Sequence, residues 1–384
     1  MAAAAAPAQD PRLLNLNARQ IVLANSQEMV QRIYQQTLTG TLPGQVATIP
    51  FKPVGLVKKF IVRVNGTFAQ AAAETLTQTP LGISNILGNV TLTDLSNVTR
   101  IQTQGWHLHQ LATVKRGAAF GAAFTNDSPI LNANAYTTIK APASITAAQN
   151  FQMMYEIPVT YSDQDLRGAI WANVVNATAQ LQLQINPAPV AASTGDPTLA
   201  CYQSSTAGNL GVLSNLQITV HQVYLDQIPR NQQGQAILPM LDLSTNYYLN
   251  NSQVGGLVPA MDNPLPYSNF REFYSTMLIY DNAGAQNAGT DINGFKLQTA
   301  NQLSLFDIDV FLNALRTRNE LGNDMPRGMY YFNHRNKPIN TIQYGNMQLL
   351  VNPNNVGTNA VLLIGYESMG MTNMMTQAGS LYGT

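Results

Sequence analysis

Residues Gln180 to Ile185 read QLQLQI, so Leu181, Leu183 and Ile185 alternate without exception with Gln180, Gln182 and Gln184. Only an extended strand sends every second side chain to one face, which makes this segment a strand with one apolar and one polar side. That is the pattern of an antiparallel sheet open to water on one face. The same period recurs along the chain. In Leu56 to Val64 it puts Phe60, Val62 and Val64 on one face and Lys59 and Arg63 on the other. Further strands are expected at Trp106–Val114, Phe151–Tyr161, Ala179–Ile185 and Leu216–Tyr224, then at Ser275–Tyr280, Asn340–Val351 and Ala360–Tyr366. The loops between them, notably Asn186 to Asn209, are rich in Pro, Gly, Asn and Ala. Short strands, long polar loops and little helix predict β-sandwiches.

Two segments break the alternation. From Leu13 to about Leu38 the pattern is helical: Leu14, Ala18, Ile21, Val22, Met29, Ile33 and Tyr34 fall near one stripe, and Gly40 and Pro43-Gly44 stop it. A helix standing before any strand needs a domain of its own, a neighbouring subunit or a membrane surface to bury that stripe. In the second half, Ser304 is the expected N-cap, with Asp307 three residues on. The stripe there is Leu305, Ile308, Phe311, Leu312 and Leu315, and Gly322 ends the helix.

A joint divides the chain near its middle. Pro229 closes the strand through Tyr224, because proline donates nothing to a ladder. The polar turn Arg230–Gln235 and the apolar run Ala236–Leu243, broken at Pro239, then lead into a second strand-rich half. Loose linkers are polar or Gly/Ser-rich, so this joint reads as a buried connector. The expected division is an arm with its helix over 1–40, a first body over 41–235, the connector over 236–245 and a second body over 246–384. No sequence repeat relates the halves.

Charge narrows the function classes. Of 384 residues only 10% are charged, against roughly 25% in a typical soluble domain, and the formal net charge is zero. Such a surface has little self-repulsion and suits packing against neighbours better than life as a concentrated monomer. Through Gly66, seven Lys and Arg face only Asp10 and Glu28, so a basic N-terminal part balances an acidic remainder and could face an anionic partner. Cys201 is alone and cannot form an intramolecular disulfide. Met1 to Ala6 lacks the basic start and long apolar core of a signal peptide, and no run approaches the roughly 18 apolar residues of a membrane span.

Catalytic patterns fail one by one. His107 and His109 would share a face of a strand, as a two-histidine metal site in a cupin needs, but no carboxylate follows before Asp127. The simpler expectation fills the core with Trp106 and Leu108 and turns both histidines outward. Asp163 and Asp165 read as a capped turn, Asp307 and Asp309 as first-turn helix residues. Gly284 to Gly294 is glycine-rich without a following Lys-Ser/Thr, so it is no phosphate loop. His221 and His334 have no nucleophile motif near them. No cofactor or metal is expected, and Met369, Met371, Met374 and Met375 near the C-terminus form an adaptable apolar patch fit for a neighbour.

Several collinear stretches resemble the major capsid protein of tectiviruses, tailless icosahedral phages with an internal membrane. They are Asn15–Leu23 (NLNARQIVL), Gly105–Phe120 with Asp127–Ile130, the connector with its ILPMLDLST, Tyr280–Asn293, Met325–Pro353 and Leu362–Glu367. The Ala-rich start, the loop around Val190–Gly211, the region Phe295–Gly322 and the Met-rich tail depart from the pattern. The resemblance implies an all-β double jelly roll, two eight-stranded antiparallel sandwiches side by side with an N-terminal helix and a short helix in the second half. It implies a homotrimer forming a pseudo-hexagonal capsomer of a virion shell, assembled in the bacterial cytoplasm. Implied partners are neighbouring capsomers, vertex and minor capsid proteins and the lipids of the internal membrane, with no sequence-specific nucleic-acid binding. Asn15–Leu23 would then be the membrane-side segment, giving Arg12, Asn15, Arg19, Ile21 and Leu23 as contact candidates. A metal-dependent bicupin enzyme on His107 and His109, and a carbohydrate-binding β-sandwich, are the rival readings.

Overall fold

Alternation becomes burial in the computed structural model, which describes residues 10–116, 139–173, 179–282, 285–286, 291–299, 301–322, 325 and 328–371. Leu181, Leu183 and Ile185 are fully buried while the intervening glutamines are half-buried. In strand Leu56–Ala69, Phe60, Val62 and Val64 face the core and Lys59, Ile61 and Arg63 face outward. The expected strands near 151–161, 216–224, 275–280 and 360–366 form as Gln149–Pro158, Val212–Asp226, Glu272–Asn282 and Val361–Met371.

Eight principal strands make up each half. Numbered in chain order within the half, the first eight are Gln27–Thr37, Val46–Pro50, Leu56–Ala69, Leu87–Thr93, Thr99–Thr103, Gln149–Pro158, Gln180–Ile185 and Val212–Asp226. They form two sheets ordered 1-8-3-6 and 2-7-4-5. The second eight are Thr245–Val254, Asn263–Pro266, Glu272–Asn282, Ile292–Thr299, Ser304–Asp309, Met329–Asn333, Met347–Pro353 and Val361–Met371. Their sheets run in the same two orders, 1-8-3-6 and 2-7-4-5. This is a double jelly roll: the fold repeats where the sequence does not. Strand 5 of the first half and strand 1 of the second pair in parallel, Leu249 with Ile101 and Asn250 with Gln102, so one sheet runs across both halves.

Helices depart from the expectations in instructive ways. Helix α1 covers only Pro11–Asn25, with Asp10 as its N-cap and an extended Ser26 as its C-cap. Met29, Ile33 and Tyr34 belong instead to strand Gln27–Thr37, whose backbone is held along strand Val212–Asp226. Helical spacing of a few apolar residues lost to a full antiparallel ladder. The segment 106–114 is the reverse case, helix α2 (Gly105–Arg116) rather than a strand. Trp106, His107, Leu108, His109, Gln110 and Leu111 are all buried, and a helix enclosed on every side shows no apolar stripe to read. Both histidines therefore point inward, not outward.

Three smaller corrections follow. Ser304–Asp309 is a strand paired with Ile292–Thr299, and the later helix α4 (Val310–Leu321) is capped by Asp309, which accepts from the Leu312 amide at 2.7 Å. Gly322 ends it in the left-handed region, φ 74°. Segment 340–351 is split: Asn340 caps the single turn α5 (Thr341–Tyr344), Gly345 turns the chain, and strand Met347–Pro353 follows. In the connector, one turn of helix, α3 (Met240–Leu243), buries Asp242 while Leu241 and Leu243 stay half-exposed and Met240 exposed. The connector is anchored by a buried charge, with Leu243 packed only in part against the small apolar cluster of Val22, Leu56, Leu166, Ala169 and Leu225.

Candidate functional site: the seam between the halves

Helix α2 crosses from strand 5 to strand 6 of the first half and lies against the second half. The His107 ring rests on Gly365, where an added Cβ would come within 2.4 Å of ring atom Cδ2. Its Nδ1 lies 2.7 Å from the Thr103 hydroxyl, and its buried Nε2 has no hydrogen-bond partner among the described residues. Burial holds its pKa down to about 4; the nearby Glu367 charge opposes the shift and Lys115 reinforces it. Two turns of α2 further on, Lys115 Nζ meets Glu367 Oε1 at 2.7 Å.

Glu367 is the centre of the seam. Its fully buried carboxylate also takes Arg335 Nη2 at 3.1 Å, the Tyr247 hydroxyl at 2.8 Å and the Ser275 hydroxyl at 2.8 Å. Burial alone would raise its pKa, but the Lys115 and Arg335 charges outweigh it and hold the group at about 2. Such a saturated carboxylate has no lone pair or proton to offer a substrate. It fixes the two halves in one arrangement instead.

A second charged clasp fastens α1. Arg19 grips Asp242 of α3 with Nε at 2.6 Å and Nη2 at 2.5 Å, and its Nη1 lies 3.6 Å from Asp165. Asn15 donates to Asp242 at 2.9 Å and accepts from the Leu241 amide at 2.9 Å. Asp165 is shared with Arg167, which reaches the Tyr274 hydroxyl of the second half. A cavity of about 220 Å³ nearby is lined by Lys58, Lys59 and Lys115, but each lysine is paired, with Glu28, with Glu156 and Asp163, and with Glu367 respectively. Among the described residues no three His, Cys, Asp or Glu side chains converge as a metal site would need, and no helix is long and apolar enough to cross a membrane.

The predicted contact residues are thus divided. Asn15, Arg19 and the half-buried Leu23 face the protein, whereas Arg12 and Ile21 are exposed beside Leu13, Leu14 and Leu16. Met369 is 2% exposed and packs into the first core, Met371 ends its strand, and Met374 and Met375 lie outside the described residues. Sequence reasoning missed Lys115, Asp242, Arg335 and Glu367. The available signal was a lone charge inside an apolar stretch, as in Leu241-Asp242-Leu243.

Comparison with known proteins fixes the family. A family described as P3 major capsid protein N-terminal matches residues 1–228, and one described as P3 major capsid protein C-terminal matches residues 244–382. The chain belongs to the P3 major capsid protein family. It is 38% identical over 383 residues to the major capsid protein P3 of Enterobacteria phage PRD1, covering 98% of this chain and 96% of that one. Solved structures share the fold at much lower identity. A chain of the Sulfolobus Turreted Icosahedral Virus structure matches with TM-score 0.63 at 11% identity, over 92% of this chain and 93% of its own. One from the PBCV-1 virus capsid matches with TM-score 0.53 at 10% identity, over 91% and 96%. P3 proteins are structural proteins of the virion, not enzymes, so the bicupin reading gives way.

Proposed function

We propose that this P3 chain forms a homotrimer whose six jelly rolls make a pseudo-hexagonal capsomer, and that these capsomers tile an icosahedral shell around an internal lipid membrane. The observation that carries the reading is the duplicated strand order: each chain supplies two blocks of one topology, and three chains supply six. Closed rings are the usual outcome of such head-to-tail contacts. The proposed divisions keep the connector 236–245 and the second roll 246–384, while strand Gln27–Thr37, expected in the arm 1–40, goes to the first roll, which then runs over 27–235 and leaves the arm with α1 alone. On this reading the outward side of α1, with Arg12, Leu13, Leu14, Leu16 and Ile21, meets lipid headgroups, a side whose exposed leucines beside an arginine suit an interfacial helix. The tail with Met371, Met374 and Met375 meets neighbouring capsomers or vertex and minor capsid proteins, and assembly proceeds in the host cytoplasm.

Native mass by light scattering tests the trimer. The expected result is three times the 41.7 kDa of one chain. A single-chain mass at micromolar concentration overturns it. Flotation with anionic vesicles tests the membrane side: binding should fall when Leu13, Leu14 and Leu16 become serine, and equal binding would refute that assignment.

A further inference from the structure

A second cavity, of about 390 Å³, lies at the end of the first roll opposite α1. Strand 3 of the first half starts at Leu56, which packs with Val22 of α1 and with Leu225 near the end of strand 8. It ends at Ala69, paired with Val212 at the start of strand 8. The loop from strand 7 to strand 8 therefore closes the far end, and it folds over the start of strand 4 to enclose the cavity. Side-chain amides hold this loop in place. Asn186 donates to the carbonyls of Asn85 at 2.9 Å and Leu199 at 2.7 Å, and Asn85 donates in return to those of Thr198 and Ala200, both at 3.1 Å. The cavity is thus built into the fold and not left by a slack loop.

What the lining leaves unused defines the ligand. Asn85 has spent both amide protons on that network, so its Oδ1 is left to accept. Gln104 accepts from Trp106 Nε1 at 2.7 Å, so its Nε2 is left to donate. Asp196 takes the Thr198 amide on Oδ1 at 2.8 Å and keeps Oδ2. Gln184 is half-buried, and its side-chain amide has no hydrogen-bond partner among the described residues. Beside these groups stand the apolar surfaces of Leu87, Pro187 and Leu199. No lysine, arginine or histidine lines the cavity among the described residues, so nothing there neutralises an anion. One exposed carboxylate is too little to select a cation. Amides that donate and accept, one carboxylate oxygen and apolar walls match a ring whose hydroxyls also donate and accept and whose C–H face is apolar.

We propose that this cavity binds a neutral sugar of one or two rings, with its hydroxyls on Asn85, Gln104, Gln184 and Asp196 and its C–H face on Leu87 and Leu199. The volume falls within the usual range of small-molecule sites. No aromatic ring lines the cavity among the described residues for a sugar to stack on, so the expected dissociation constant is on the order of a millimolar. On the membrane-side reading of α1 the cavity lies at the outer end of the shell, where sugars of a host surface would meet it. The site itself does not depend on that reading.

Saturation-transfer NMR on the full chain tests it, with glucose, galactose, N-acetylglucosamine, maltose and lactose as probes and acetate and putrescine as charged controls. Transfer to at least one sugar and to neither control is expected. Gln184→Ala removes an amide that holds nothing in the fold, and it should weaken that sugar at least ~10-fold, the loss of two hydrogen bonds. Ala192→Phe, in the loop wall, should fill the cavity and abolish transfer. Melting temperature shows whether each variant is folded, and Gln184→Ala carries the test alone if the bulkier variant is not. Transfer to no sugar overturns the proposal, and so does transfer that survives both substitutions, which would place the sugar elsewhere on the chain. Stronger transfer to acetate or putrescine overturns the sugar as the ligand class. Sugar binding by a chain that fails to float with vesicles would keep the site and remove only its outward placing, so the two readings fail separately.

Discussion

Lys115 of the first half and Glu367 of the second meet at 2.7 Å, and the carboxylate has no exposed surface. Glu367→Gln keeps the shape and removes the charge, leaving Lys115 and Arg335 without their shared anion. Breaking one side of a buried pair costs roughly 3–5 kcal/mol. Urea unfolding at neutral pH should show a loss of that order, and a change below about 1 kcal/mol would mean the seam does not depend on this charge.

Acid should weaken the protein first through its histidines. In the unfolded chain His107 takes a proton below about 6.5, but the folded protein refuses it until about 4. A group with a depressed basic pKa stabilises the fold above 6.5 and loses that contribution as pH falls toward 4, about 3 kcal/mol in all. His334, held down to about 3 chiefly by burial, adds in the same direction over a wider span. Glu367 contributes above its ordinary value near 4.5 and loses it only as pH falls toward 2, so the windows separate. Denaturation midpoints between pH 7 and 4.5 should fall less steeply in His107→Gln than in the parent. Parallel profiles would show that His107 does not titrate on unfolding.

Gly365 is glycine for lack of room rather than for its backbone angle. A methyl group there would press on Cδ2 and Nε2 of His107 at 2.4 and 2.6 Å, and the ring, locked in α2, cannot retreat. Gly365→Ala should cost about 2–3 kcal/mol. Combining it with His107→Ala should recover part of that loss, a coupling a double-mutant cycle reads directly. Additive losses would place the strain elsewhere.

The strands were legible because one-sided burial writes itself into the sequence as alternation; Gln180–Ile185 needed nothing more. Helix α2 was not, since a helix buried all round carries no polar face, and Trp106-His107-Leu108-His109 imitated a strand. Gln27–Thr37 failed for the opposite reason: it lies on a sheet edge with both faces largely exposed, so no period-two pattern was imposed on it. The seam escaped because its members are far apart in sequence; Lys115, Arg335 and Glu367 become a site only when two bodies meet. The double roll itself was legible through the family resemblance, while the repetition of its strand order, with no repeated residues, required the structure.

The clasp on α1 yields the last prediction. This helix fully buries only Val22, so apolar packing holds it weakly, and the Arg19–Asp242 pair with Asn15 is its main fastening. Arg19→Met keeps the length of the side chain and frees the charge of Asp242, whose side chain is 3% exposed. Losing a bidentate, largely shielded pair of this kind should weaken the docking of α1 by about 1–3 kcal/mol without unfolding the rolls, whose cores it does not enter. Amide exchange should therefore accelerate roughly 10- to 100-fold across Pro11–Asn25 while strands Leu56–Ala69 and Glu272–Asn282 keep their protection. High salt should do little in the parent, because a shielded pair is screened less than a surface one. Uniform loss of protection in all three segments would mean that Asp242 supports the whole fold, and unchanged exchange in α1 would mean that its fastening lies in Val22 and Leu23.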